Sequence, residues 1–333
     1  MPQLRIHFTD ADIARTRLKL EIDPMWEVIS SVQVLQHSQG GLAIAPWRRR
    51  VRERMGRDNH LRAAVETLMT VAPHAAYFPD FLTPALDLSE FGEGVEAVLS
   101  TPPHRLREEV GRLEPASGPA ATWLAELARG KSPALRHLRE ALRVYIESAL
   151  APDLPMIEDG LRRECAGGIE RYLRAGPEGL LRWLGPPTTW EHPVLTVDYP
   201  LDRDLHLDGR GLVLTPSYFC LLHPVALADP SLRPVLVFPM RDEFRLLAGD
   251  HGSGHLGALL GATRAEILRS VVDGSTTTRL ARLTGVAAAT VSHHTAVLRN
   301  SGLITTERHE NFATHLITPL GLRLLTAGSV DRA

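Results

Sequence analysis

The stretch TTTRLARLTGVAAATVSHHTAVLRNSGLI, residues 276–304, decides the fold of the C-terminal part of this 333-residue chain. Apolar residues recur at helical spacing on both sides of Gly285, and glycine permits the tight turn that two neighbouring short helices need. The pattern therefore predicts one helix that ends near Thr284 and a second that spans residues 287–300.

The two faces of the second helix carry different side chains. A small residue lets the helices approach, and inward apolar residues fix the second across the first; these are Ala281, Val286, Val291 and Leu298. Short polar side chains on the opposite face can read base edges in a DNA major groove. The candidates for contact with DNA are Thr290, Ser292, His293, His294 and Arg299.

Three of these candidates have alternative roles that the sequence leaves open. Thr290 lies near the helix N-terminus, where it can donate to a phosphate or merely cap the helix. His294 can contact DNA or brace the helix against its neighbour. Arg299 lies late on the helix and is expected to meet phosphate rather than a base. A solvated helix face is the plain alternative for the polar set as a whole.

The flanking segments complete a compact module at about residues 258–327. A first helix is predicted at 259–272, short alternating stretches at 304–308 and 313–318, and a last helix from Pro319. Helices followed by such a hairpin form a winged helix-turn-helix, whose wing can rest on the sugar-phosphate backbone. Arg308, on this hairpin, is the sixth candidate for contact with DNA.

This module resembles ArsR-type winged-helix repressors, in which the recognition helix reads roughly T-V-S-x-H-L-x-x-L-x-x-x-G-L-[VI]. The matching residues are Leu280-Ala281, Gly285-Val286, Thr290-Val291-Ser292-His293-His294, Leu298-Arg299 and Ser301-Gly302-Leu303-Ile304. Thr295 stands where Leu is usual. The resemblance implies a homodimeric, DNA-binding transcriptional regulator.

Two departures from the family pattern change the expected chemistry. Metal-sensing members carry a Cys pair in the helix before the recognition helix, whereas residues 276–285 contain no Cys, so metal sensing at that site is not expected. Glu310 and Asn311 occupy the wing tip, where Gly and basic residues are common. An acidic tip repels phosphate, so wing contacts are expected from Arg308 or His309.

The N-terminal body is predicted to be mainly helical with a small antiparallel sheet at about 190–240, which makes the fold class α+β followed by a C-terminal winged helix-turn-helix. Asp208-Gly209-Arg210-Gly211 is a candidate hairpin turn. Beyond a strand at 3–8, helices are predicted from Ala11 and at 26–36, 60–72, 95–99, 106–113, 122–129, 132–150, 156–173 and 177–184.

The chain is predicted to hold two domains, an N-terminal domain at 1–247 and a winged helix at 257–328, joined by a Gly-rich linker at 248–256. His251 and His255 have a metal-compatible spacing but lie among the linker glycines. The body resembles a poorly characterised domain that precedes ArsR-type winged helices in some bacterial regulators. That resemblance rests on residues 8–17, 46–49 and 208–217.

Charge is unevenly distributed along the chain. From His255 to the end there are eight Arg and no Lys against five acidic residues, a net charge of +3, whereas the whole chain carries −2. A basic module on a mildly acidic body is a weak indication of a polyanionic partner. An N-terminus without a signal peptide and the lack of an 18-residue apolar run predict a cytoplasmic protein without a membrane span.

No catalytic pattern is present, since the sequence lacks G-x-S-x-G, H-E-x-x-H, a P-loop and a dinucleotide-binding glycine motif. We therefore expect no enzyme activity, no cofactor and no metal. Cys165 and Cys220 are expected to pack in the core. The stretch Trp47-Arg48-Arg49-Arg50 is interpreted as a surface charge run, with an edge for an acidic partner as the alternative.

The sequence thus predicts a sequence-specific regulator, most simply a repressor, that binds double-stranded DNA as a homodimer. Sensing of a small-molecule effector, dimerisation, or both are open roles for the body. The alternative is a body that is an enzyme or a protein-docking module, with the winged helix used for protein contacts. The salt dependence of DNA binding separates the two hypotheses, because affinity for DNA phosphates falls steeply as the salt concentration rises.

Overall fold

The computed structural model describes residues 2–39, 41–75, 77–221, 223–241, 244–245, 259–272, 274–309 and 312–327. The chain divides into two compact units, Met1–Phe244 and Arg245–Ala333. The linker predicted at 248–256, with His251 and His255, lies outside the described residues, as do Glu310 and Asn311. No helix in the described ranges combines the length and apolar character needed to cross a membrane.

The N-terminal unit is mainly helical, which confirms the predicted fold class. Its helices are α1 (Asp10–Arg15), α2 (Pro24–Leu35), α3 (Gly41–Arg57), α4 (Asn59–Val71), α5 (Phe91–Leu99), α6 (Pro103–Val110), α7 (Gly118–Ala128), α8 (Ser132–Tyr145) and α9 (Leu154–Trp183). The chain continues from α8 through a wide helical turn, Ile146–Leu150. Non-helical backbone at Ala175 and Gly176 breaks α9 between the two helices that the sequence predicts at 156–173 and 177–184.

Helix α3 was not predicted, and it corrects the interpretation of Trp47 and Arg48 as part of a surface charge run. Both side chains are buried. The Trp47 Nε1–H donates to the Ala149 carbonyl (3.0 Å), and the Arg48 Nε–H donates to the Val34 carbonyl (3.1 Å). The guanidinium therefore satisfies a backbone carbonyl near the end of α2 instead of facing solvent.

The prediction of one small antiparallel sheet is wrong, because the strands form two mixed four-stranded sheets. In the first, of order β3-β4-β1-β5, strand β1 is antiparallel to β4 but parallel to β5; in the second, of order β2-β6-β8-β7, strand β6 lies parallel to both β2 and β8. The strands are β1 (Gln3–His7), β2 (Arg17–Leu18), β3 (Thr188–Glu191), β4 (Val194–Asp198), β5 (Arg203–His206), β6 (Val213–Ser217), β7 (Val225–Ala226) and β8 (Val235–Pro239).

The turn at residues 208–211 does not close a hairpin, since it leads from β5 in one sheet to β6 in the other. Its conformation is fixed from the N-terminal segment: the Asp12 carboxylate accepts the Gly211 N–H (2.8 Å), and Arg15 donates to the Gly209 carbonyl. Asp12 also completes a capping box with Thr9 at the start of α1. Residues 8–17 and 208–217, two of the segments on which the resemblance of the N-terminal body to a known domain rests, thus contact each other.

The C-terminal unit has the predicted order of elements. They are α10 (Ala262–Ser270), β9 (Ser275–Thr276), α11 (Thr277–Thr284), α12 (Ala288–Asn300), β10 (Ile304–His309), β11 (Phe312–Ile317) and α13 (Pro319–Ala327). Strand β9, which was not predicted, extends the hairpin to a three-stranded sheet of order β10-β11-β9. Residues of α10, α11, α12 and the first hairpin strand share one apolar core.

Candidate nucleic-acid interface

The turn between α11 and α12 follows from local sequence. At the start of α11 the Thr276 side chain accepts the Arg279 N–H (3.3 Å), which satisfies one of the free donors at the helix N-terminus. Gly285 ends α11 in the left-handed conformation, with φ of 68°. The chain enters α12 at Ala288, three residues later, so the two helices are joined by a short and defined turn.

The inward face of α12 is held by three buried side chains, Val291, Thr295 and Leu298. Thr295 occupies the position where the ArsR pattern has Leu, and its hydroxyl donates to the Ser292 carbonyl (3.1 Å). A buried hydroxyl with a hydrogen-bond partner is tolerated in a core. The departure from the family pattern therefore leaves the orientation of α12 intact.

The end of α12 is closed by two backbone hydrogen bonds. The Gly302 N–H donates to the Arg299 carbonyl, and the Leu303 N–H donates to the Leu298 carbonyl, both at 2.9 Å. With Gly302 at φ of 70°, this is a Schellman cap, and the buried Leu303 anchors it in the core.

The structure brings four of the predicted site residues together on the exposed part of α12. Thr290, Ser292, His293 and Arg299 are all exposed. They lie on a helix whose opposite side is buried, so its position is fixed while these polar groups remain accessible. That combination is what reading a groove requires.

His294 differs from its neighbours because it is half-buried. Burial, with the nearby charges of Arg264 and His293, lowers the pKa of its imidazole. The ring is therefore neutral near pH 7, and its environment includes a residue of α10. The charge of Arg264 acts on the ring from α10, and half-burial leaves part of the ring accessible to a partner.

The wing is the antiparallel hairpin of β10 and β11, paired from Ile304 with Ile317 to His309 with Phe312. Arg308 is exposed and pairs in register with Ala313. Strand β9 joins the other side of β11 through Thr276 and Thr314. The wing is thus hydrogen-bonded to the segment that begins α11.

His315 was missed by the sequence analysis, although it links the wing to the helices. Its ring is buried, with Nε2 3.1 Å from the Thr277 hydroxyl and Nδ1 2.9 Å from the Thr306 hydroxyl. Burial, and then the charge of Arg299, lowers the pKa of this imidazole. The one sequence signal for a buried His315 was its position in an alternating strand. That position does not reveal its hydrogen-bond partners, Thr277 and Thr306, which lie 38 and 9 residues away.

Exposed arginines also lie on the helix pair and the wing, and two of them were missed by the sequence analysis. Arg279 and Arg282 lie on α11, the first helix of the pair. In this unit an ion pair joins Arg269 to Glu266 (3.3 Å). Among the described residues, no carboxylate forms an ion pair with the exposed arginines of the helix pair and wing, which are Arg279, Arg282, Arg299 and Arg308.

A comparison with protein families matches residues 261–306 to the model described as bacterial regulatory protein, arsR family. The C-terminal unit carries an ArsR-family regulator domain. Such a domain supports a DNA-binding transcription regulator, with DNA as the partner. No curated protein and no solved structure matches the chain.

The matched range of the ArsR-type domain contains five of the six predicted site residues, while Arg308 lies two residues beyond it. Both cysteines lie outside the domain, buried in the N-terminal unit, and burial raises the pKa of the Cys165 thiol to about 12. Within the described ranges, no three His, Cys, Asp or Glu side chains are grouped so that they could hold a metal ion.

Proposed function

We propose that the chain is a sequence-specific transcriptional repressor that binds its operator through the exposed face of α12. In this proposal Ser292 and His293 contact base edges, Thr290 and Arg299 contact phosphates near either end of the helix, and Arg308 contacts the backbone from the wing. The main role of His294 is to position α12 against α10, and any contact that it makes with DNA lies at the margin of the interface.

The observation that carries the proposal is the exposed polar face of α12, on a helix whose other side is buried in the core, with exposed arginines on the helix pair and the wing. These arginines are Arg279, Arg282, Arg299 and Arg308, and within the described residues none of them makes an ion pair with a carboxylate. DNA phosphates can neutralise such charges, and the release of counterions then drives binding.

We further propose that the repressor acts as a homodimer in the cytoplasm. A single winged helix covers few base pairs and binds weakly, whereas two copies related by a two-fold axis read two half-sites. The N-terminal unit then mediates dimerisation, senses an effector, or does both, and it has no catalytic role. An effector acts on repression only by favouring one arrangement of the two recognition helices.

The test is binding of the full chain to the DNA upstream of its own gene at two salt concentrations. The triple variant Ser292→Ala/His293→Ala/Arg299→Ala is compared with a control, Ser100→Ala/His60→Ala/Arg57→Ala, which removes the same side chains from exposed positions of the N-terminal unit. We expect the wild type and the control to bind specifically, and the first variant to lose at least about 100-fold in affinity.

The alternative use of the winged helix, docking to a protein, gives a different result. In that case neither the upstream DNA nor a pool of genomic fragments binds specifically at low salt. The same outcome contradicts the repressor proposal. Where a specific fragment does bind, sedimentation of its complex with the wild type gives the number of protein copies per operator. One copy per operator would contradict the homodimer.

A further inference from the structure

A cleft of about 590 Å³ lies within the N-terminal unit, and nothing described so far uses it. It is bounded by α2, the chain that follows α4, the end of β4 with Tyr199 and Pro200, and the residues 219–221 and 223–225 that lead into β7. Sites for small organic molecules have volumes of about 300–1,000 Å³. The cleft is therefore large enough to enclose a small molecule and too small for a folded partner.

Most of the cleft wall is apolar, with polar groups concentrated at the end of α2. Ser30, Gln33 and Val34 line it from one side of that helix, because residues three and four apart share a face. The aromatic rings of Phe78 and Phe219 line it from other segments. An apolar wall with few polar groups favours a ligand that is itself mainly apolar.

Hydrogen bonds hold the walls in place. The buried Glu27 carboxylate of α2 accepts the N–H groups of Tyr218 (2.8 Å) and Phe219 (3.2 Å). These hydrogen bonds fix the backbone at Phe219, which lines the cleft. On the other side, the Gln36 amide donates to the Ala72 carbonyl (3.0 Å) and accepts the His74 N–H (3.0 Å). The cleft is thus built into the fold before any ligand enters.

Two histidines meet at the end of α2, His37 and His74, with ring centroids 4.3 Å apart. The Nδ1 atom of His37 accepts the Gln39 N–H (3.1 Å). Burial, and then the charges of His74 and Arg48, lowers the pKa of His37 to about 4. At neutral pH the ring is therefore neutral and carries its proton on Nε2, for which the described residues provide no acceptor.

The charges near His37 favour an anionic group there. Arg48, one of the neighbours that oppose its protonation, carries a positive charge, so the local potential is positive. Among the residues lining the cleft, Asp198 carries a carboxylate, and it belongs to the end of β4 rather than to α2. A negatively charged acceptor is thus complementary to the His37 end of the cleft and not to the Asp198 end.

We propose that this cleft binds a small organic acid whose carboxylate accepts a hydrogen bond from His37 Nε2–H and whose apolar part contacts Phe78 and Phe219. The binding itself is independent of DNA, whereas its use as an effector signal rests on the proposed repressor function. The cleft then supplies the sensing role of the N-terminal unit.

The test is a calorimetric titration of the full chain with 1-naphthoate at pH 7.5, without DNA, compared with the neutral 1-naphthalenemethanol. We expect saturable binding of the acid, and about tenfold weaker binding of the alcohol, because a hydrogen bond to a charged acceptor is the stronger one. The absence of DNA separates this result from the operator test, so failure of one does not imply failure of the other.

Three variants locate the binding. Ala75→Trp fills the cleft from an exposed position and is expected to abolish binding. His37→Phe is expected to remove the preference for the acid, while His60→Phe, the same change at an exposed site outside the cleft, retains it. Melting curves show that each variant is folded.

Three results would overturn the proposal. The first is the lack of saturable binding of either probe up to millimolar concentration. The second is unchanged binding to Ala75→Trp, which places the probe elsewhere. The third is equal or tighter binding of the alcohol to the wild type, which contradicts an organic acid as the ligand class.

Discussion

Buried carboxylates hold loops of the N-terminal unit in place, whereas the candidate interface of the C-terminal unit carries exposed arginines. In the N-terminal unit, buried carboxylates bind consecutive backbone N–H groups far away in sequence, as Glu27 does with Tyr218 and Phe219, and Asp80 with Ala228 and Asp229. In the C-terminal unit, the exposed arginines of the helix pair and wing bind no described carboxylate. Buried carboxylates thus fix loops, whereas the exposed arginines remain accessible to a partner.

Arg210 shows that an arginine also stabilises the fold where backbone carbonyls accept its hydrogen bonds. In the N-terminal unit its guanidinium donates to four backbone carbonyls, those of His206, Leu207, Pro230 and Leu232. An arginine with its donors satisfied in this way stabilises the fold and has little left to bind a ligand. The comparison therefore predicts different consequences for charge removal in the two units.

The largest effect is expected for Glu27→Ala. Removing this carboxylate leaves two buried N–H groups without their acceptor, at a cost of about 3 kcal/mol in the free energy of unfolding. All five Trp residues lie in the N-terminal unit, so Trp fluorescence during urea unfolding reports on it. Glu66→Ala, at an exposed position, is the control and should change the value by less than about 0.5 kcal/mol.

Two neighbouring residues of α12 sharpen the comparison within one helix. Leu298→Ala removes a fully buried side chain and is expected to destabilise the C-terminal unit by about 3 kcal/mol. Arg299→Ala, one residue later and exposed, should leave stability within about 0.5 kcal/mol but weaken operator binding. Hydrogen exchange of the 288–300 peptide measures the first effect, and equal protection loss in both variants would contradict the assignment of faces.

A smaller effect is expected from pH through His315. The pKa of its ring is lowered in the folded state, so the unfolded chain takes up a proton first as the pH falls. The stability that this group contributes is complete above about pH 6.5 and is lost below it, by at most about 1.4 kcal/mol per pH unit. Hydrogen exchange at pH 7.5 and 5.5, corrected for the intrinsic rate, should show this difference, and His315→Gln should reduce it.

The smallest effect is expected for Arg143→Ala. This exposed arginine pairs with Glu140 and Glu147 on the surface of the N-terminal unit. Solvent-exposed ion pairs contribute little, because water and salt screen them. The urea midpoint should not change measurably, and a shift as large as that of Glu27→Ala would break the distinction between buried and surface pairing.

How well the sequence predicts each unit depends on how far apart the interacting residues lie. The helices and turns of the C-terminal unit follow from contacts a few residues apart, such as the turn at Gly285, and they were predicted. The mixed sheets of the N-terminal unit depend on pairs such as Leu4 with Arg203, which no local pattern reveals. Helix α3 was missed because Pro46 and a run of arginines obscure its period.

The same limit applies to the candidate site. Thr290, Ser292, His293 and Arg299 could be placed on the exposed side of α12 because helical period alone separates them from Val291 and Leu298. The environment of His294 includes the charge of Arg264 from another helix, and the role of His315 depends on two threonines distant in sequence. Neither could be derived without the fold.

The central claim, that exposed arginines of the helix pair and wing bind DNA phosphates, is tested most directly by the salt dependence of operator binding. The account predicts that Arg279→Gln/Arg299→Gln lowers the slope of log K against log salt by about 2, since each neutralised phosphate contributes about 0.9. The control Arg143→Gln/Arg174→Gln removes the same charge from surface ion pairs and should keep the wild-type slope. An unchanged slope in the first variant, or an equal decrease in both, would contradict the account.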